Sequence, residues 1–224
     1  MDQGVRSYWA EFLGTFTLCF AGQGAIVATH AAGLPFDLLT IAVAHGLALA
    51  VMISAFGATS GGHLNPAVTF GFFVTGRHKL GSTIAYWIAQ LAGAVVASFL
   101  LKSFAPPATV EATKLGAAWL NPILSPGAGA MIEFVLTFFL VTAVWGTAVD
   151  ERAPKIGGFG IGLCVLMDIL VGGPLTGAAM NPARAFGAAL ASGQFANHWI
   201  YWVGPMLGGA AAALVYRDVV MKRS

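Results

Sequence analysis

Two stretches decide the fold of this chain: Ser60-Gly61-Gly62-His63-Leu64-Asn65-Pro66-Ala67-Val68-Thr69-Phe70-Gly71 and Thr176-Gly177-Ala178-Ala179-Met180-Asn181-Pro182-Ala183-Arg184-Ala185-Phe186-Gly187. Both read [ST]-G-x-x-x-N-P-A-x-x-F-G, 116 residues apart. Asn before Pro is a helix-start signal, because the Asn side chain caps free N–H groups and Pro fits the first helical turn. The apolar stretch after each motif, about residues 65 to 75 and 181 to 191, is too short to cross a bilayer. A third Asn-Pro pair, Asn121-Pro122, lacks the flanking pattern and reads as an ordinary turn.

Around these motifs lie six longer apolar segments, about residues 8 to 30, 37 to 57, 81 to 104, 127 to 149, 156 to 175 and 198 to 219. The 224-residue chain is 58% hydrophobic and 9% charged, and such a composition cannot cover the surface of a soluble fold. It suits a multi-pass membrane protein surrounded by lipid. Period-2 alternation is absent, so spanning helices are expected rather than a barrel. Net charge is +2 without a basic run, and nucleic acid is not an expected partner. Cys19 and Cys164 sit in apolar stretches, read as packing residues rather than a disulfide or metal pair.

Repetition extends beyond the motifs. Glu11-Phe12 with Thr15-Phe16 is matched by Glu133-Phe134 with Thr137-Phe138, and Tyr86-Trp87 by Tyr201-Trp202. Three spans per half is odd, so the second half must be inverted relative to the first. The expected fold is an all-α membrane domain over residues 1–224, with repeat one at about 1–107 and repeat two at about 127–224. Two re-entrant half-helices enter from opposite faces, and their positive ends meet near the midplane. Basic residues fall on one side (Arg6, Arg77, Lys79, Arg152, Lys155, Arg217, Lys222 and Arg223), with Lys102 and Lys114 on the other. Both termini are therefore expected in the cytoplasm.

Irregular backbone at membrane depth is tolerated where it is buried in protein or lines a watery cavity. Carbonyls of Gly61, Gly62 and His63, and of Gly177 and Ala179, are expected to line such a path. The amides of Asn65 and Asn181 are expected to donate into it. Glu11 and Glu133, one per half, are read as caps for the pore-loop backbone rather than a proton relay. Asp168 is read as a contact between helices facing away from the path. His63 is expected to order its own loop, while His30, His78 and His198 lie near membrane ends, where solvation explains them. Small residues at Ala85, Ala89, Gly93 and Ala97, and at Gly204, Gly208 and Ala212, form close-packing faces.

The doubled Asn-Pro-Ala motif (Asn65, Pro66, Ala67; Asn181, Pro182, Ala183), the inverted repeat and Arg184 resemble the aquaporin family over essentially the whole chain. Within it, Ala44 to Leu49 and Asp168 to Pro174 resemble ammonia-permeable mammalian aquaporins and plant tonoplast intrinsic proteins. The resemblance implies a selectivity filter of His45, Ile169, Ala178 and Arg184. It also implies a homotetramer with one pore per subunit. Glycerol facilitators carry Asp where Ala185 stands, which argues against glycerol. The expected function is a passive channel for water and small neutral solutes such as ammonia or hydrogen peroxide. It would exclude ions and protons and sit in the cell membrane. No catalytic constellation, metal site or cofactor is expected. The alternative is an ion-coupled secondary transporter, which inverted repeats and broken helices also serve.

Overall fold

The computed structural model describes residues 3–154 and 156–221, and among these every regular element is helical. Five long helices match the sequence expectation within a few residues: α1 (Gln3–Ala31), α2 (Leu38–Ser60), α4 (Leu80–Phe104), α6 (Pro126–Val144) and α7 (Gly157–Thr176). The half-helices α3 (Pro66–Val74) and α8 (Pro182–Ser192) each begin on the Pro of an Asn-Pro-Ala motif. The sixth long helix, α9 (Ile200–Val215), is only 16 residues, and a five-residue π turn at 216–220 extends it. A matching π turn at 145–149 extends α6. A short helix that the sequence did not announce, α5 (Pro107–Thr113), begins the link between the halves. Asn121-Pro122 is a turn, with Asn121 Oδ1 accepting from the Ile123 amide.

Packing follows the inverted repeat. α1 packs on α2 and α4, α6 on α7 and α9, and α2 on α7 across the two halves. Each half-helix packs chiefly on a long helix of the other half, α3 on α9 and α8 on α4. Absent side chains allow this. A Cβ at Gly187 would lie 2.5 Å from the Ala94 carbonyl oxygen, and one at Gly209 would lie 2.8 Å from that of Ala67. Large apolar side chains such as Leu47, Val51, Ile88, Val171 and Leu207 stay more than half exposed, as a lipid-facing surface requires.

Of the basic residues that set the expected orientation, Lys155, Lys222 and Arg223 lie outside the described residues. The adjoining Asp150 is paired with Arg152 through Nε at 2.9 Å and a terminal nitrogen at 2.6 Å. Those bonds hold the Asp150 carboxyl down to about 2, so the pair keeps both charges throughout the physiological pH range. Arg152 also donates to the Val220 carbonyl at 3.3 Å, tying the α6–α7 loop to the π turn after α9.

Candidate functional site

The two motif loops are built by one design executed twice. The hydroxyl of Ser60 donates to Glu11 at 2.7 Å, and that of Thr176 donates to Glu133 at 2.7 Å. Glu11 then accepts from the His63 amide at 2.9 Å and the Leu64 amide at 2.6 Å. Glu133 accepts from Ala179 at 2.9 Å and Met180 at 2.7 Å. Both carboxyl groups are fully buried, and each satisfies donors of an irregular segment that no helix supplies. The chain turns through left-handed conformations at Gly61, Gly62 and Leu64, and again at Gly177, Ala178 and Met180. Ala178, at φ 43°, adopts this conformation where repeat one has Gly62.

Each asparagine has two tasks. Asn65 Oδ1 caps α3 by accepting from Ala67 N at 2.8 Å, and Asn181 Oδ1 caps α8 by accepting from Ala183 N at 3.0 Å. Asn65 Nδ2 donates to the Met180 carbonyl at 2.8 Å and Asn181 Nδ2 to the Leu64 carbonyl at 2.9 Å. These reciprocal bonds join the two loops and refine the sequence expectation. One N–H of each amide crosses to the opposite loop, leaving one for the lumen that both residues border.

That lumen, about 30 Å³, adjoins a vestibule of about 490 Å³ with which it shares part of its lining. Among the described residues, His45, Ile169 and Arg184 are the three that border both spaces, so they form the constriction between them. Ala178 borders the lumen alone, together with Gly62, His63 and Ala179. Gly177 borders the vestibule. Gly61 borders neither space, although the sequence placed it on the path. No described residue donates a hydrogen bond to the carbonyls of residues 61–63 or 177–179.

The constriction has donors on one wall and an acceptor on another. Arg184 is 5% exposed, and its Nε and one terminal nitrogen have no partner among the described residues. Its own carbonyl is held by Gln23 Nε2 at 3.3 Å. His45 Nδ1 lies 2.9 Å from the Ile41 carbonyl, which can only accept, so Nδ1 carries the proton. The lone pair is then on Nε2, which has no partner among the described residues either. The ring lies against Gly22, where any side chain would overlap it.

Residues 2–216 match the model of the major intrinsic protein family. The chain belongs to the aquaporin, or major intrinsic protein, family. It is 43% identical to "Probable aquaporin TIP3-2" of Arabidopsis thaliana, over 97% of this chain and 84% of that one. It is 44% identical to "Aquaporin TIP2-1" of the same plant, over 98% of this chain and 89% of the relative. Among solved structures, the aquaglyceroporin from Plasmodium falciparum superposes with a TM-score of 0.88 at 28% identity, covering 97% of each chain.

Aquaporin membership and the apolar helices make this an integral multi-pass membrane protein. Neither space is bordered by a described Asp or Glu, so the coupled-transporter alternative has no acidic ion site to support it. Asp168 faces neither space, as expected, but it is not the interhelical contact foreseen. Among the described residues its one hydrogen bond comes from Cys164 of the same helix at 3.5 Å, and Oδ1 has no partner there. His198 is not merely solvated, since its Nε2 accepts from Trp202 Nε1 at 3.2 Å.

Several supporting residues escaped sequence reasoning. Tyr86 and Tyr201 hydroxyls donate to the Ser60 and Thr176 carbonyls at 2.8 and 2.9 Å, closing the start of each pore loop. Gln90 links Glu11 at 2.8 Å to the Thr69 hydroxyl at 2.9 Å. The signal for Tyr was present in its repetition, and for the glutamines in a polar residue within an apolar span.

Proposed function

We propose that this protein is a passive channel for water that also admits small neutral solutes, ammonia among them and hydrogen peroxide by the same size criterion, while excluding ions and protons. The observation that carries the reading is the constriction, bordered by Arg184, with donors that have no partner among the described residues, by His45, with an acceptor that has none, and by Ile169. Water and ammonia each both donate and accept, so each can replace its hydration partners at such a ring. A cation meets Arg184 and then the positive ends of α3 and α8 at Asn65 and Asn181. Its dehydration is left uncompensated. A proton must hop along oriented waters, and the two asparagine amides hold the central water by its oxygen, which breaks the relay. Ala178 completes the filter, and the carbonyls of residues 62–63 and 178–179 pass solutes along the lumen.

The basic residues orient both termini toward the cytoplasm, and the protein works as a homotetramer in the cell membrane with one pore per subunit. Exposed apolar faces on α1, α2, α4 and α7 supply surface for lipid and for neighbouring subunits.

Ammonium gradients across vesicles containing the purified protein test the filter. The variant His45→Phe removes the Nε2 acceptor and fills its wall with a larger ring. Losing one hydrogen bond of about 1 kcal/mol corresponds to roughly a fivefold drop in ammonia flux. Undiminished ammonia entry in that variant contradicts the assignment.

A further inference from the structure

The symmetry of the pore loops fails at one position. His63 and Ala179 are equivalent, each donating its amide to a capping glutamate, yet only repeat one places an imidazole there. That imidazole borders the lumen, and a second one, His78 in the turn between α3 and α4, stands beside it with ring centres 5.3 Å apart.

The hydrogen bonds determine the tautomer of each ring. The single hydroxyl proton of Thr69 goes to the Asn65 carbonyl at 3.0 Å, so the contact between His63 Nδ1 and Thr69 Oγ1 at 3.1 Å must be donated by the imidazole. Thr83 gives its proton to the Lys79 carbonyl at 3.0 Å, so His78 Nδ1, at 3.0 Å from Thr83 Oγ1, is a donor too. Both rings therefore carry their lone pair on Nε2, and no described residue donates to either atom. Packing holds the pair. His63 stacks on Phe72 at 4.2 Å, and the Tyr86 ring lies 5.2 Å from His63 and 4.7 Å from His78.

We infer that His63 and His78 form a binding site for a divalent transition metal at the lumen mouth on the side of Arg77 and Lys79, and that metal bound there obstructs the channel. Two imidazole nitrogens at about 2.0–2.1 Å from a tetrahedral ion put their ring centres about 5 Å apart, in keeping with the separation here. Imidazole ligands suit zinc, copper(II) and nickel rather than calcium or magnesium. The threonine hydroxyls serve as the outer partners that fix ring orientation and tautomer at such sites. Metal binding takes the neutral imidazole, and partial burial of His78 favours that form. Two protein ligands leave the remaining positions to water. The exposed charges of Arg77 and Lys79 nearby weaken the site, which makes it a reversible one.

The obstruction rests on the channel reading above, whereas the binding does not, and two measurements separate them. Tag-free protein is titrated with zinc chloride by calorimetry in detergent, and osmotic water flux is recorded in proteoliposomes with zinc on both faces. The expected result is zinc binding to the wild type and a slowed flux that a chelator restores. In His78→Asn, both the dissociation constant and the half-blocking zinc concentration rise at least about tenfold; His78→Gln replaces it if the Asn variant does not fold. Equal zinc affinity in wild type and variant, or equal sensitivity of their fluxes, overturns the site. Binding that depends on His78 in a protein with no water flux upholds the site and rejects the channel.

Discussion

Replacing Glu133 with Leu is expected to leave little folded protein. The substitution takes away the acceptor of the Ala179 and Met180 amides and of the Thr176 hydroxyl, all three in buried residues. Each stranded donor costs about 1–3 kcal/mol, so the total approaches the roughly 5–15 kcal/mol that holds an average domain together. Glu133→Gln should be intermediate. Its carbonyl oxygen keeps the acceptor role toward Ala179 and Thr176, but its amide nitrogen then faces the Met180 N–H, donor against donor. Thermal unfolding in detergent, followed by tryptophan fluorescence, should rank wild type above Gln above Leu. A Leu variant that unfolds with the wild type would mean that the loop amides find other partners. Glu11→Leu should fail in the same way, since the His63 and Leu64 amides depend on it.

The second large effect is expected at Gly208. A Cβ there would overlap the carbonyl of Phe134 on α6, which is backbone and cannot rotate aside. Gly208→Val must therefore push α9 away from α6 along the most extensively packed helix pair in the molecule. Overpacking of this kind costs about 3 kcal/mol or more. The inverted repeat supplies a second instance, because Gly93 on α4 meets the Phe12 carbonyl on α1 in the same manner. Gly57 on α2 is the control, with nothing within 4 Å of the position its Cβ would take. Gly57→Ala should be neutral or slightly stabilising through reduced freedom of the unfolded chain. Gel filtration and thermal unfolding of the two variants give the comparison. A stable Gly208→Val protein would show that the α6–α9 crossing is not set by contact between backbones.

Much of this architecture was legible because inverted repetition writes each feature twice. One Asn-Pro pair is ambiguous, and Asn121-Pro122 is a turn. Two pairs with matched flanks became two helix starts at membrane depth, each on its Pro. The paired glutamates were legible for the same reason, since a buried carboxyl in the first span of each half has one repeated task. What stayed hidden depends on distances between halves. The bonds from Asn65 to Met180 and from Asn181 to Leu64 bridge more than a hundred residues and have no local signature. The His63–His78 pair was read as two separate surface or loop residues, because a spacing of 15 residues across a turn does not reveal that the rings meet. Helix α9 was harder to delimit than the others, since its regular part ends at Val215 and a π turn carries the remainder. Asp168 was placed away from the lumen by helical periodicity alone, but periodicity cannot say which side chain is its neighbour.

The central claim is that two half-helix ends, joined by reciprocal asparagine bonds, hold a single file of water that passes molecules but not protons. Stopped-flow recording of osmotic shrinkage and of internal pH after an acid jump, on one preparation of proteoliposomes, addresses both parts at once. The account predicts shrinkage many times faster than in protein-free vesicles, with acidification no faster than theirs. Shrinkage at the protein-free rate, or a proton leak that grows in step with the water flux, would contradict it.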